Sequence, residues 1–174
     1  QTAAEEALAF LRCAMELEPH NSYVASFGAQ VHTIVRRSYI AAYELARRSI
    51  EINPANPMGW ACLGIAECHL GRSKIGLEHA LTGRRISGSS PLRFQVDALS
   101  CTAATMAGDL ETAIQCGESG HALAPTFAPP LRYLSAIYLL RGEHEQSLEK
   151  VTTLQALEPD FSYAMLGDKS YPTA

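Results

Sequence analysis

Gly108-Asp109-Leu110-Glu111-Thr112-Ala113 opens a stretch that closes on Leu123-Ala124-Pro125. The chain then repeats the phrase, from Gly142 through Ser147-Leu148-Glu149 to Leu157-Glu158-Pro159. The interval from Gly108 to Pro125 equals that from Gly142 to Pro159. Glycine reaches the backbone angles a tight turn between helices needs. Proline cannot continue a helix and so marks a stop and a restart. Working outward, Gly71 and Gly88 keep the same interval, with Gly88 standing where a proline is expected. Further upstream, Ala41-Ala42-Tyr43-Glu44 leads to Ile52-Asn53-Pro54, and Ala3-Ala4-Glu5-Glu6-Ala7 leads to Glu16-Leu17-Glu18-Pro19. The closing positions Pro19, Pro54, Gly88, Pro125 and Pro159 recur with a period of about 34 residues, which means one supersecondary unit stacked on copies of itself. The step from Gly88 to Pro125 is longer than the others, which places a short insertion near 90–93.

The apolar pattern agrees. Ala7, Leu11, Ala14 and Leu17 recur at helical spacing on one face. Leu131, Leu134, Ile137, Tyr138 and Leu140 make a later helix apolar on nearly every side, so it must be covered by neighbours. The expected layout is the second helix of a partial repeat in 1–21, helix pairs in 22–56, 57–90, 91–127 and 128–161, and a tail in 162–174. In that tail Tyr163, Met165 and Leu166, with Phe161 before them, are expected to cap the last pair.

With this period the chain resembles the tetratricopeptide repeat (TPR) family. Trp60, Leu63 and Gly64 match its first-helix W-x2-L-G signature, with Glu67 where a tyrosine is usual. The small second-helix residue is Ala7, Ala42, Gly76, Ala113 and Ser147 in turn. Four positions on, Leu11, Ala46, Ala80, Gly117 and Val151 are smaller than the family pattern, so closer helix packing is expected. The resemblance implies an all-α, right-handed α-α superhelix whose first helices line a concave groove. The groove residues it implies are Phe27, Val31 and Ile34; Ala61, Ile65 and Cys68; Ala98 and Thr102; and Arg132 and Ala136, with Val24, Met58, Cys62, Gln95, Leu99, Thr105, Tyr133 and Leu139 beside them. Family members that grip a C-terminal carboxylate use Lys, Asn and Arg at such positions. Here Arg132 alone offers that chemistry, so an apolar peptide or protein segment is the expected partner.

The resemblance extends to the C-terminal repeat regions of bacterial cytoplasmic regulators, through Ala-Pro-Thr-Phe at 124–127, Leu-Glu-Pro-Asp-Phe at 157–161 and Ser-Tyr-Pro at 170–172. It implies a protein-interaction or regulatory module, part of a larger protein with a winged-helix or nucleotide cyclase effector. The alternative is a self-association device that pairs two effectors.

Bulk properties set the outer bounds. A chain that is 47% hydrophobic and 18% charged is globular. A net charge of −4 provides no strong field for nucleic acid or an anionic membrane surface. Charge is uneven, with 9 Lys+Arg against 8 Asp+Glu in 1–87 and 5 against 10 in 88–174, which solvated helix faces account for. No apolar run reaches the length of a membrane span. Cys13, Cys62, Cys68, Cys101 and Cys116 show no disulfide framework and read as small buried thiols in a reducing compartment.

No catalytic constellation stands out, and no cofactor or metal is expected. The stretch 83–90, Gly-Arg-Arg-Ile-Ser-Gly-Ser-Ser, lacks the lysine and preceding strand of a phosphate loop. Cys62 and Cys68 are too far apart for a zinc pair. His144 sits between Glu143 and Glu145 in a turn, without a pocket for general base chemistry. The doublets Arg36-Arg37, Arg47-Arg48 and Arg84-Arg85 lack the interleaved aromatics of single-strand binders.

Overall fold

A computed structural model describes residues 3–162. Within them the elements are α1 (Ala3–Leu17), α2 (Ser22–Ile34), α3 (Tyr39–Ile52), α4 (Pro57–His69), α5 (Ser73–Ile86), α6 (Arg93–Ala107), α7 (Leu110–Leu123), α8 (Pro129–Leu140) and α9 (His144–Leu157). Short turns join them, so successive helices run antiparallel. The pairs α2/α3, α4/α5, α6/α7 and α8/α9 pack internally, and each of α4, α6 and α8 also packs on the first helix of the pair before it. This is an all-α, TPR-like superhelix. The expected cap residues Tyr163, Met165 and Leu166 lie outside the described residues. Phe161 packs against the cluster formed by Ala128, Leu131 and Leu154.

Turn chemistry explains the boundaries. Gly71, Gly108 and Gly142 take φ of 82°, 79° and 77°, the left-handed conformation that ends each first helix. The equivalent position in the α2/α3 turn is Arg37, which stands as far before Pro54 as Gly71 does before Gly88. It is not a glycine and yet adopts a φ of 48°. Pro57 opens α4, and Pro129 and Pro130 open α8, where their missing N–H groups cost nothing. Pro91 lies in the connection before α6, which starts at Arg93. Asn56 caps α4 by accepting from Met58 N–H at 3.0 Å. Its amide donates to Ser49 Oγ at 3.0 Å, and Ser49 donates on to the carbonyl of Ser22 at 2.8 Å. All three residues are buried, and the chain of bonds ties α2, α3 and α4 together.

The small second-helix residues let backbones approach. A Cβ added at Gly64 would lie 2.5 Å from the carbonyl oxygen of Gly76 and 2.8 Å from the nitrogen of Ala80. One added at Gly117 would meet Leu134 Cδ2 at 2.8 Å. The α4/α5 and α7/α8 crossings are therefore close, as the residue sizes imply. Glu67, at the position where the family has tyrosine, is buried and ion-paired with Arg72, whose guanidinium lies 5.3 Å from the ring centre of Tyr43. An ion pair laid against an α3 aromatic thus replaces the usual side chain.

Asp97 is a second departure. It is 0% exposed and accepts from Arg84 Nε at 2.8 Å, from Arg93 Nε through both oxygens at 3.0 Å, and from Ser119 Oγ at 2.7 Å. One carboxylate joins α5, α6 and α7 beside the insertion, and the bonds offset its desolvation. The cysteines divide. Cys62, Cys68, Cys101 and Cys116 are buried, whereas Cys13, expected to be buried, is exposed on α1, which among the described residues packs only on α2. Burial pushes the thiols of Cys62 and Cys101 up to about 12 and those of Cys68 and Cys116 up to about 11, so they resist ionisation.

Candidate functional site

Between α2, α6 and α8, three of the first helices, lies a concave pocket of about 300 Å³. Its wall is Gln30 and Ile34 from α2, Gln95, Ala98, Leu99 and Thr102 from α6, and Pro129, Arg132 and Tyr133 from α8, with Phe127 from the turn before α8. Phe127 is held edge-on against Phe94, with ring centres 4.9 Å apart. Helix α4 is set back and contributes the floor. Ile65 and Cys62 line a gap of about 10 Å³ beneath Gln30, Ile34 and Leu99.

The pocket is close to neutral. Arg132 is the cation in its wall, and Glu158 accepts from its Nη2 at 2.5 and 2.6 Å. The same guanidinium lies 5.6 Å from the ring centre of Phe161. A carboxylate entering the pocket would therefore have to displace Glu158. Tyr133 is the other titratable group in the wall. Burial pushes its phenol up, and a hydrogen bond with Thr102 partly offsets this. In the wall, Gln95 Oε1 is buried with no hydrogen-bond partner, a condition that costs about 1–3 kcal/mol. A ligand N–H could satisfy it.

The implied groove residues fall in five places. Ile34, Ala98, Thr102 and Arg132 meet in this pocket, and Ile65 lies beneath it. Phe27 and Val31 face a different trough, between α1 and α2. Ala61 and Cys68 are packed inside the main core, and Ala136 is exposed outside the pocket wall. Gln30, Phe127 and Pro129 belong to the wall and were missed. Gln30 was within reach of the spacing, since Gln30, Ile65 and Thr102 follow one another at close to the repeat period. Helical periodicity favoured the apolar neighbour Val31 over a glutamine. Phe127 and Pro129 sit at a pair boundary, where helical periodicity carries no signal.

Among the described residues, no group of three His, Cys, Asp or Glu side chains could hold a metal ion, and no helix is long and apolar enough to cross a membrane. Arg47 of one arginine doublet pairs with Glu51 at 2.9 Å, and Arg84 of another with Asp97.

No protein-family model matches the chain, and none of the curated proteins does. Solved structures do. The chain is similar to PilW, a widely conserved type IV pilus biogenesis factor, with a TM-score of 0.71 at 16% identity over 91% of this chain and 72% of that one. It is similar to pilF of Pseudomonas aeruginosa, with a TM-score of 0.68 at 15% identity over 94% and 72%. It is also similar to YrrB, a TPR protein with an unusual peptide-binding site, with a TM-score of 0.61 at 19% identity over 94% and 82%. The architecture is thus that of a TPR array, a likeness of fold.

Proposed function

We propose that this array is a non-catalytic protein-interaction module, and that the pocket between α2, α6 and α8 holds a neutral, apolar segment of a partner polypeptide. The observation that carries this reading is the pairing of Arg132 with Glu158 beside the unpartnered Gln95 Oε1. The wall offers apolar surface and an acceptor for an N–H, and its cation is already neutralised. A volume of about 300 Å³ suits one or two side chains with their backbone. The phrases at 124–127, 157–161 and 170–172 support placing the module beside an effector domain in a cytoplasmic bacterial regulator, without direct contact to nucleic acid.

The test is selection of random dodecapeptides on the immobilised domain, followed by calorimetric titration. Peptides with uncharged apolar cores and amidated C-termini are expected to bind. Gln30→Trp and Gln95→Trp, which fill the pocket from opposite walls, are expected to weaken them at least tenfold while helicity is retained. Binding that requires a free C-terminal carboxylate, or that survives both substitutions, would refute the reading.

A further inference from the structure

The second helices of the array share a register. At the first small-residue position stand Ala42, Gly76, Ala113 and Ser147, and two turns further on stand Ser49, Gly83, Gly120 and Leu154. All eight are buried, and they belong to α3, α5, α7 and α9, which each pack against a first helix of their own pair. Ala7 and Ala14 of α1 occupy these positions, and among the described residues α1 packs on α2 alone. Leu11, between them, is accounted for: it leans on α2, so that a Cβ added at Gly28 would meet its Cδ1 at 3.1 Å. Ala7 and Ala14 remain partly open. With Phe10 from α1 and Val24 and Phe27 from α2 they line a trough of about 340 Å³. Phe10 is 73% exposed and Phe27 37% exposed, large apolar surfaces that a closed core would not leave in water.

Inside the array this place is always filled. Helix α4 lies between α5 and α6, and α6 lies between α7 and α8, each touching the second helix of its own pair and the first helix of the next. The α1/α2 trough is the same site without its helix. We infer that it is a docking site for an amphipathic α-helix of first-helix type, seated antiparallel to α1. The helices that fill the internal sites define its chemistry: α2, α4 and α6 have 13, 13 and 15 residues, and each packs an apolar face carrying small residues. The trough wall carries no charged side chain, so the docked face is uncharged. This site is separate from the concave pocket and does not depend on it.

The probe is an acetylated, amidated and fluorescein-labelled peptide of residues 128–142, the α8 helix with its flanks. Its natural partner α9 has a branched side chain, Val151, where α1 has Leu11. Fluorescence anisotropy is expected to show saturable binding to the domain, weakened at least tenfold by Phe10→Glu and by Phe27→Glu and unchanged by Gln95→Trp. The same peptide with Leu131→Asp and Leu134→Asp is expected not to bind. Hydrogen exchange is expected to slow in the amides of α1 when the peptide is added. No binding, or binding indifferent to Phe10→Glu, overturns the inference. So does a domain that sediments as a dimer, becomes a monomer with Phe10→Glu and ignores the peptide, because the occupant would then be a second copy.

Discussion

Gly64→Ala tests how rigid the array is at its centre. Taken alone, the helix should prefer alanine by about 1 kcal/mol. The crossing opposes this, because the new methyl would lie 2.5 Å from the Gly76 oxygen and 2.8 and 2.9 Å from the nitrogen and Cβ of Ala80. Ordinary contact between such atoms needs about 3.5–4.0 Å, and the obstacles are mostly backbone, which cannot rotate away. Overpacking a core costs typically about 1–3 kcal/mol where side chains can yield, and the cost here belongs at the top of that range. Parting α4 from α5 by even part of that distance also forfeits a quarter to a half of the dispersion along their shared face. Together these amount to about 3–4 kcal/mol, for a net loss of about 2–3 kcal/mol. For a chain of this size that lowers Tm by about 4–12 °C. Thermal unfolding followed by circular dichroism measures it, with Gly120→Ala as the comparison. There the nearest atoms lie at 3.1 and 3.3 Å, and a small shift accommodates the methyl. The expected order is a large loss for Gly64→Ala and a change within about 1 kcal/mol for Gly120→Ala. If Gly64→Ala were neutral or stabilising, the crossing would be compliant and the packing argument wrong.

Arg37→Gly is expected to raise stability by about 1 kcal/mol, because glycine removes the left-handed strain at φ 48°; an unchanged or lower Tm would contradict this. Asp97→Ala strands Arg84 and Arg93 at a buried site and is expected to cost about 3–5 kcal/mol in urea unfolding, whereas a loss below about 1 kcal/mol would show the carboxylate to be dispensable. In thiol titration, Cys13 is expected to react at once and the four buried cysteines only on unfolding; fast reaction of a second thiol would be inconsistent with the packing. Burial holds His69 below its ordinary value of 6.5, so its contribution to stability is fully present above that pH and is lost as pH falls through the lowered folded-state value. Tm is therefore expected to fall between about pH 7 and 5, and to fall less in His69→Phe, which keeps a ring against Tyr39; equal slopes in the two proteins would remove His69 from the account.

The superhelix was legible because glycine and proline punctuate it. Gly71, Gly108 and Gly142 sit at the left-handed positions, and Pro57, Pro129 and Pro130 at helix starts. Each of those residue types acts through its own backbone, so no tertiary knowledge is needed to read it. Where another residue type does the same work the signal vanishes: Arg37 adopts the glycine conformation without showing it. Asp97 stands where the next repeat has Leu131, and its role depends on Arg84 in the helix before it and Arg93 one turn back, a coincidence visible only in three dimensions. The concave pocket was half legible. Helix periodicity separates apolar from polar faces, but it cannot tell which apolar residues line a cavity and which, like Ala61 and Cys68, lie below it. Gln30 was lost for the opposite reason, since a wall residue that offers hydrogen bonds looks like a solvated one.

The close crossing of Gly64 on Gly76 also bears on how such arrays change length. Units of a solenoid can be duplicated, deleted or shuffled only if each joint accepts any neighbour. The α4/α5 unit is matched to itself by two residues lacking side chains, and Asp97 fastens α5 to helices on its far side. Cutting the chain within this segment and splicing in a unit with ordinary side chains would break both fits at once. Insertions and grafts should therefore be tolerated toward the ends, while the middle pairs are inherited as one block.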